Sequence, residues 1–367
     1  MNLKDIIFSN IYKNPSAFGL DLSDFSLKIA QLKKRGKFFE LRSYNRTSLP
    51  EGLIEEGVIK KEDKLIETIK KSIGNIKGES LKNPYVVCSL PEQHGFIKVI
   101  RLPMMNLDEI HQAIKWEAEA NIPYSLDEVY LSWQVIPSEK NTDHLDVLVS
   151  AAPKTLVDKY LKVLKGAGLE PVVFEIESVA TVRSLIKDEF ASKPVLIIDL
   201  GFNRTSFIIF SGRSIQFTSS ISTVSTREML EAIGRKLNTS LKEPQLSRFK
   251  IGSEKDETQR EIFNALLPSL TKLIGKIKDC IVFHEEYSQQ NKELQGNIGE
   301  IILCGGGVHL KGLSQYLSSR LNVPVKLGNP WFNIPYSKNK IPAIPYDESP
   351  DYATVLGLAL RGVETKC

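Results

Sequence analysis

The sequence predicts an α/β protein, with two similar hairpin segments half a chain apart and a small α/β unit set into the first half. Three observations predict it. Strand-patterned and helix-patterned segments alternate along the chain, as layered α/β architectures require. Two stretches, FGLDLSDFSLKIA at 18–30 and LIIDLGFNRTSFIIF at 196–210, each run an apolar strand into an Asp, a short polar turn and a returning strand. Their aspartates, Asp21 and Asp199, lie close to half of the 367-residue chain apart, which suggests duplicated halves facing one another. The same turns occur in any β-rich protein, so on these two segments alone duplication and coincidence both stay open.

The elements follow in chain order. After the first hairpin, residues 106–120 carry a helix signature: Asn106 can cap, Glu109 completes a capping box, and Leu107, Ile110, Ile114 and Ala118 form one stripe. Pro123 ends it. Residues 129–136 and 145–150 read as strands, and 155–167 as an amphipathic helix closed by Gly168, so the inserted unit is expected over 86–168. In the second half, 227–237 and 260–290 are helical patterns separated by a polar stretch at 238–257. A short buried strand at 301–303 leads into CGGGVHLKGL and a helix at 313–321. Six prolines between Pro324 and Pro350 make the next region irregular, and 352–361 is short, apolar and expected to pack.

Composition excludes several classes. With 42% hydrophobic and 25% charged residues the chain is an ordinary globular protein, not a disordered or fibrous one. Its length suggests two or three domains. A formal net charge of +4 is too small to argue for nucleic acid as a partner. Cys88, Cys280, Cys304 and Cys367 never form a CxxC pair, so a zinc site or redox dithiol is not expected and a reducing cytoplasm fits best. The apolar run at 195–198 is cut by Asp199, far below the ~18 residues of a membrane span. Residues 1–16 lack the apolar core of a secretory signal, so export is not expected. Leu3, Ile6, Ile7 and Ile11 fall at helical spacing beside Lys4 and Lys13, which reads as a frayed or self-packed end rather than a membrane anchor.

Phosphate-loop, HExxH and GxSxG signatures are absent, and the five histidines are scattered. Three turns carry the chemistry that remains. Gly305, Gly306 and Gly307, after a buried strand, let the backbone approach an anion, although a tight strand-to-helix turn needs the same residues. Asp199 supplies a carboxylate for hydrated Mg²⁺, Gly201 permits close approach, and Arg204, Thr205 and Ser206 offer donors. Asp21 supplies a second Mg²⁺ carboxylate through water, with Ser23 in its turn and Lys28 as a nearby cation. Two such hairpins facing a glycine turn would form a Mg²⁺-nucleotide site.

The order FGLDLSDFSLK, LIIDLGFNRTS, ILCGGGVHLKGL resembles the phosphate-1, phosphate-2 and adenosine motifs of the actin-like ATPase superfamily. More narrowly, KVIRLPMMNLDEIHQAIKWEAEANIPYSLDEVYLSWQVI, LDVLVSAAPKTLVDKYLKVLKGAGLEPVVFEIES and the terminal YATVLGLALRG resemble the PilM family of type IV pilus assembly proteins, over nearly the whole chain. The resemblance implies an actin-like, ribonuclease H-like duplicated two-lobe fold of the FtsA branch, in which subdomain 1B is missing and a domain 1C stands elsewhere. On that layout, 15–85 with 169–192 is the first lobe (1A), 86–168 is 1C, 193–237 with 291–363 is the second-lobe core (2A) and 238–290 is 2B. It implies ATP and Mg²⁺ between the lobes, with Asp199 the one candidate for a catalytic role. It also implies a partner, the cytoplasmic N-terminal tail of a PilN-like inner-membrane protein, held beside 1C. Arg101, Leu102, Trp116, Ile122 and Tyr124 are the candidate wall for that tail.

Departures from the family pattern bear on chemistry. Asp24 stands where a small residue is usual and would repel phosphate. Ser222, Thr223 and Val224 replace paired glycines, and Lys276 and Asp279 replace a usual Glu and Arg. The resemblance therefore implies a nucleotide-responsive adaptor, peripheral to the inner membrane through its partner. A filament-forming FtsA-like ATPase and a nucleotide-free scaffold of the GspL type are the alternatives. Asp24 and Val224 favour the scaffold over the ATPase, and the chain runs only six residues past Arg361 without the amphipathic tail expected of FtsA.

Overall fold

A computed structural model describes residues 16–137, 144–241, 246–247, 249–251, 257–290 and 296–364. The expected apolar stripe at Leu3, Ile6, Ile7 and Ile11 lies outside the described residues, as does Cys367.

The first sheet grows outward from β1 (Phe18–Leu22), whose five residues are all buried. On one side β1 pairs antiparallel with β2 (Ser26–Arg35), β2 with β3 (Phe38–Ser48), and β3 with the short β6 (Lys77–Gly78). On the other side β1 pairs parallel with β7 (Tyr85–Leu90), and β7 with β11 (Glu170–Ile176). Helices cover the sheet on both faces at β1, which is why FGLDL carries no polar alternation except Asp21 at its end. Leu65 and Ile69 of α1 (Glu62–Gly74), with Tyr160 and Val163 of α3 (Lys154–Gly166), cover one face. The opposite face receives α4 (Glu177–Leu185) and α8 (Ala353–Glu364). A Cβ on Gly19 would lie 2.6 Å from the Val355 carbonyl oxygen, so the glycine lets α8 lie directly on β1.

The second sheet repeats the plan. The meander β12 (Ala191–Leu200), β13 (Thr205–Gly212), β14 (Ser214–Ile221) is extended in parallel from β12 by β15 (Glu300–Cys304) and then β16 (Val325–Leu327). Its order, β14-β13-β12-β15-β16, matches β3-β2-β1-β7-β11 in the first sheet strand for strand. This shared order resolves the ambiguity of the two hairpins in favour of duplicated halves. On one face pack α5 (Thr226–Leu237), α6 (Glu257–Gln290) and α7 (Leu313–Leu321). Its other face meets Val182 and Leu185 of α4 and Ala353 of α8, so these two helices are shared between the lobes.

Between β7 and β11 an antiparallel sheet, β8 (Phe96–Pro103), β10 (His144–Pro153), β9 (Val129–Val135), stacks against α2 (Leu107–Asn121). The capping box forms as expected: the Glu109 amide donates to Asn106 Oδ1 and the Asn106 amide to Glu109 Oε2, each at 3.0 Å. The sheet pairings narrow the insert from the expected 86–168 to Phe96–Pro153, because β7 and α3 belong to the first-lobe core. Residues 352–361, expected with the second lobe, lie mainly on the first sheet. Among the described residues, 238–290 has no separate core, since Ile262, Leu266, Leu270 and Ile277 join the cluster of Leu196 and Ile198. A small hairpin, β4 (Ile54–Glu55) with β5 (Val58–Ile59), reaches toward the junction of the lobes.

Candidate functional site

Parallel strands leave a crevice beyond their C-terminal ends, and here both lobes aim theirs at the same place. Asp21 lies near the end of β1, Asp199 near the end of β12, and Gly305 directly follows β15. One cleft is lined by Asp21, Ser23, Asp24 and Lys28 from the first hairpin and by Asp199, Gly201, Arg204 and Ser206 from the second. Gly305 and Gly306 complete it. Arg46, Glu177, Asn203 and Asp351 also line it, and the sequence reading named none of them.

Two expected residues serve the fold instead. Thr205 is fully buried and its hydroxyl donates to the Val224 carbonyl at 2.8 Å, so strand alternation gives the cleft position to Ser206. Gly307 is buried between the lobe's own elements, where a Cβ would come 2.6 Å from Thr226 Oγ1 and 2.7 Å from Leu200 Cβ. Gly305 is constrained as tightly. Its φ is +81°, and a Cβ there would come 2.2 Å from Asp199 Oδ1, so the glycine brings β15 against the second turn.

Buried charges organise the floor. Lys28 reaches Asp351 at 2.9 Å and Asp21 at 3.9 Å, and Arg46 also pairs with Asp351. Burial opposes the Lys28 charge, yet Asp351 and Asp21 together hold its ammonium above the ordinary lysine range. Asp351 is likewise disfavoured by burial but held below the usual carboxylate range by Lys28 and Arg46. Asp21, which accepts from Ser89 Oγ at 3.0 Å, is raised by its burial in spite of Lys28. Glu177 opens α4 half-buried at the edge of the cleft; desolvation, then the charge of Asp21, pushes it up to about 8. At neutral pH it carries a proton. A helix-start glutamate has no sequence signature distinguishing it from an ordinary first-turn acid, which is why it was missed.

The lining thus holds four carboxylates, Asp21, Asp24, Asp199 and Asp351, and the protonated Glu177 against three cations. A free polyphosphate would meet net repulsion there, whereas Mg²⁺ takes one or two carboxylates and completes its shell with phosphate oxygens and water. No group of three or more His, Cys, Asp or Glu suited to a metal occurs among the described residues. Asp21 and Asp199, one from each hairpin, both lie in this lining, a donor set that Mg²⁺ arriving with phosphate would suit. Lys276 and Asp279 do not contribute, since they pair with each other at 3.1 Å on the exposed side of α6.

Asp24 is not left as a free negative charge. It accepts from the Gly57 amide at 2.8 Å and from Asn203 Nδ2 at 3.3 Å, with Arg204 Nη2 at 3.6 Å. Beside it the Phe25 and Phe202 rings meet at 4.6 Å, and the Arg227 guanidinium lies over both.

The expected tail-binding wall is not one surface. Leu102 and Ile122 are core residues of the insert, packed with Ile110, Ile114 and Val147. Arg101, paired with Asp146 at 3.2 Å, alternates to the sheet face opposite Leu102. Trp116 is 75% exposed on the outer side of α2, and Tyr124 is exposed in the loop beyond it. A groove does exist between the insert and the first lobe. Trp133 and Leu148 form one bank, Val173 and Ile176 the other, and Val179 and Arg183 of α4 lie along it. Its two banks include β9 and β11, each an end strand of its sheet.

The family model described as type IV pilus assembly protein PilM matches residues 19–363. Among solved structures, a PilM-PilN type IV pilus biogenesis complex superposes with a TM-score of 0.76 at 26% identity, covering 95% of this chain and 99% of that one. Ethanolamine utilization protein EutJ from Carboxydothermus hydrogenoformans gives 0.55 at 16% identity, covering 97% and 94%. MreB5 of Spiroplasma citri bound to ADP gives 0.54 at 14%, covering 95% and 96%. The last two matches concern the fold alone, and with the paired sheets they make it the actin-like two-lobe α/β fold.

Proposed function

The chain belongs to the PilM family of type IV pilus assembly proteins, and from that premise we propose that it is an actin-like adaptor. It holds the extended N-terminal tail of a PilN-like inner-membrane protein in the groove between insert and first lobe. It takes Mg-ATP in the cleft between the lobes. Attachment to the membrane runs through the PilN-like partner; among the described residues no helix is long and apolar enough to cross a membrane.

One observation carries this reading: α4 touches everything that must be coupled. Glu177 faces the cleft, Val179 and Arg183 face the groove, Ala180 packs on the first sheet, and Val182 and Leu185 pack on the second. Ligand binding that shifts the lobes must therefore move the floor of the groove. When bound, Mg²⁺ would neutralise the phosphates beside Asp21 and Asp199, while Lys28, Arg46 and Arg204 orient them. An extended tail suits the groove because β9 and β11 offer unpaired backbone edges, and Trp133, Leu148, Val173 and Val179 accept alternate apolar side chains.

The reading is tested by fluorescence anisotropy with a labelled PilN-type tail peptide. Val179→Asp should weaken binding at least tenfold, and Trp116→Ala should leave it within twofold; the reverse pattern moves the partner to the outer face of α2. A nucleotide-free scaffold is the second reading, favoured by the acidic excess in the cleft and by the existing partners of Lys28 and Arg46.

A further inference from the structure

We infer that Asp24 is a built-in anion, which latches the two lobes together and competes with phosphate for the receptor formed by Asn203 and Arg204. Asp24 belongs to the first hairpin and its two cross-cleft partners to the second, so the carboxylate ties one lobe to the other. The Gly57 amide fixes it from its own side, and Gly57 is in turn held by the Tyr160 hydroxyl donating to its carbonyl at 2.9 Å. The carboxylate is therefore positioned before any ligand arrives. Phe25 against Phe202, with Arg227 over both rings, extends the same contact in apolar form.

A second observation points to an exogenous anion. Arg204 turns Nη2 toward Asp24, but its Nη1 is buried with no hydrogen-bond partner. A guanidinium presents a planar fork suited to two oxygens, and a buried donor without an acceptor is costly. The receptor is thus half matched by Asp24, and its other donor is buried without an acceptor. A phosphate oxygen on Nη1 would bring a second negative charge beside the Asp24 carboxylate, and the two would repel in a partly dehydrated cleft. Binding phosphate then requires the carboxylate to yield, which opens the latch.

The half of the inference that concerns phosphate rests on the cleft's being a Mg-nucleotide site, whereas the latch does not. Two measurements keep them apart. Spin labels at Lys60→Cys and Arg235→Cys, in a Cys367→Ser background, report the distance between the lobes; both sites are exposed. Without nucleotide the parent protein should give one narrow distance, and Asp24→Asn, which keeps the shape and the Gly57 contact, should broaden and lengthen it. Asn203→Ala removes the same bond from the other lobe and should act alike. Calorimetry with Mg-ADP and Mg-ATP should show at least a tenfold gain in affinity for Asp24→Asn over the parent. Broadening with no binding heat in either protein would support the latch and sink the nucleotide reading. An unchanged distance in both variants would overturn the latch, and an affinity that falls in Asp24→Asn would overturn the competition.

Discussion

At the scale of single residues, the cleft is a set of buried charges in which Glu177 differs from its neighbours. Its carboxyl titrates near 8, so it is protonated in the folded chain where it would be ionised in the unfolded one. A carboxyl raised on folding contributes stability that is complete below its ordinary range near 4.5 and is lost as pH rises toward 8. Asp351 has the opposite sign, because its lowered value gives stability that is lost as acid protonates it. Urea unfolding between pH 5 and 8 should show the parent losing stability with rising pH, by on the order of 4 kcal/mol at most. Glu177→Gln should flatten that slope, and a variant that keeps the parent slope would place its cause elsewhere. The paired hairpin aspartates, Lys28 and two of the three glycines were legible in sequence because residue type, turn and spacing occurred together. Arg46, Asp351 and Glu177 were not, because nothing local distinguishes a cleft charge from a surface one. Leu102 and Ile122 were misplaced for a related reason: an apolar side chain near an interface has the same pattern whether it faces the core or the partner.

At the scale of elements, close approach decides what the turns tolerate. Gly305 combines a left-handed backbone with Asp199 Oδ1 in the space of its missing Cβ. Gly305→Ala should therefore cost roughly 2–4 kcal/mol, from overpacking plus backbone strain, as read by chemical denaturation. A loss below about 0.5 kcal/mol would show that the glycine turn and the Asp199 turn can separate freely. Helices were read well wherever periodicity and caps agreed, as at Asn106 with Glu109, whose reciprocal bonds form as expected. Domain borders were read less well. The helix at Lys154–Gly166 looks in sequence like a continuation of the insert, yet Leu156, Tyr160 and Val163 are buried in the first-lobe core. Amphipathic spacing says that a helix has an apolar face without saying which neighbour receives it.

At the scale of the whole molecule, the two sheets share one strand order, and the helices between them belong to neither alone. Duplication could only be suspected from the hairpins; it became visible when β7 and β15 took equivalent parallel places beside β1 and β12. The same arrangement sets cleft and groove at different points of α4, and α8 repeats it with Thr354 at the cleft and Arg361 at the groove. The Thr181 and Thr354 hydroxyls, 2.9 Å apart, join the two helices. Linkage then requires that a ligand altering the lobes alter tail affinity, and that the tail alter ligand affinity by the same factor. Titration of a labelled PilN-type tail peptide into the full chain, with and without saturating Mg-ATP, tests this most directly. The account predicts affinities that differ at least fivefold between the two conditions, and equal affinities, with Mg-ATP shown to be bound, would contradict it.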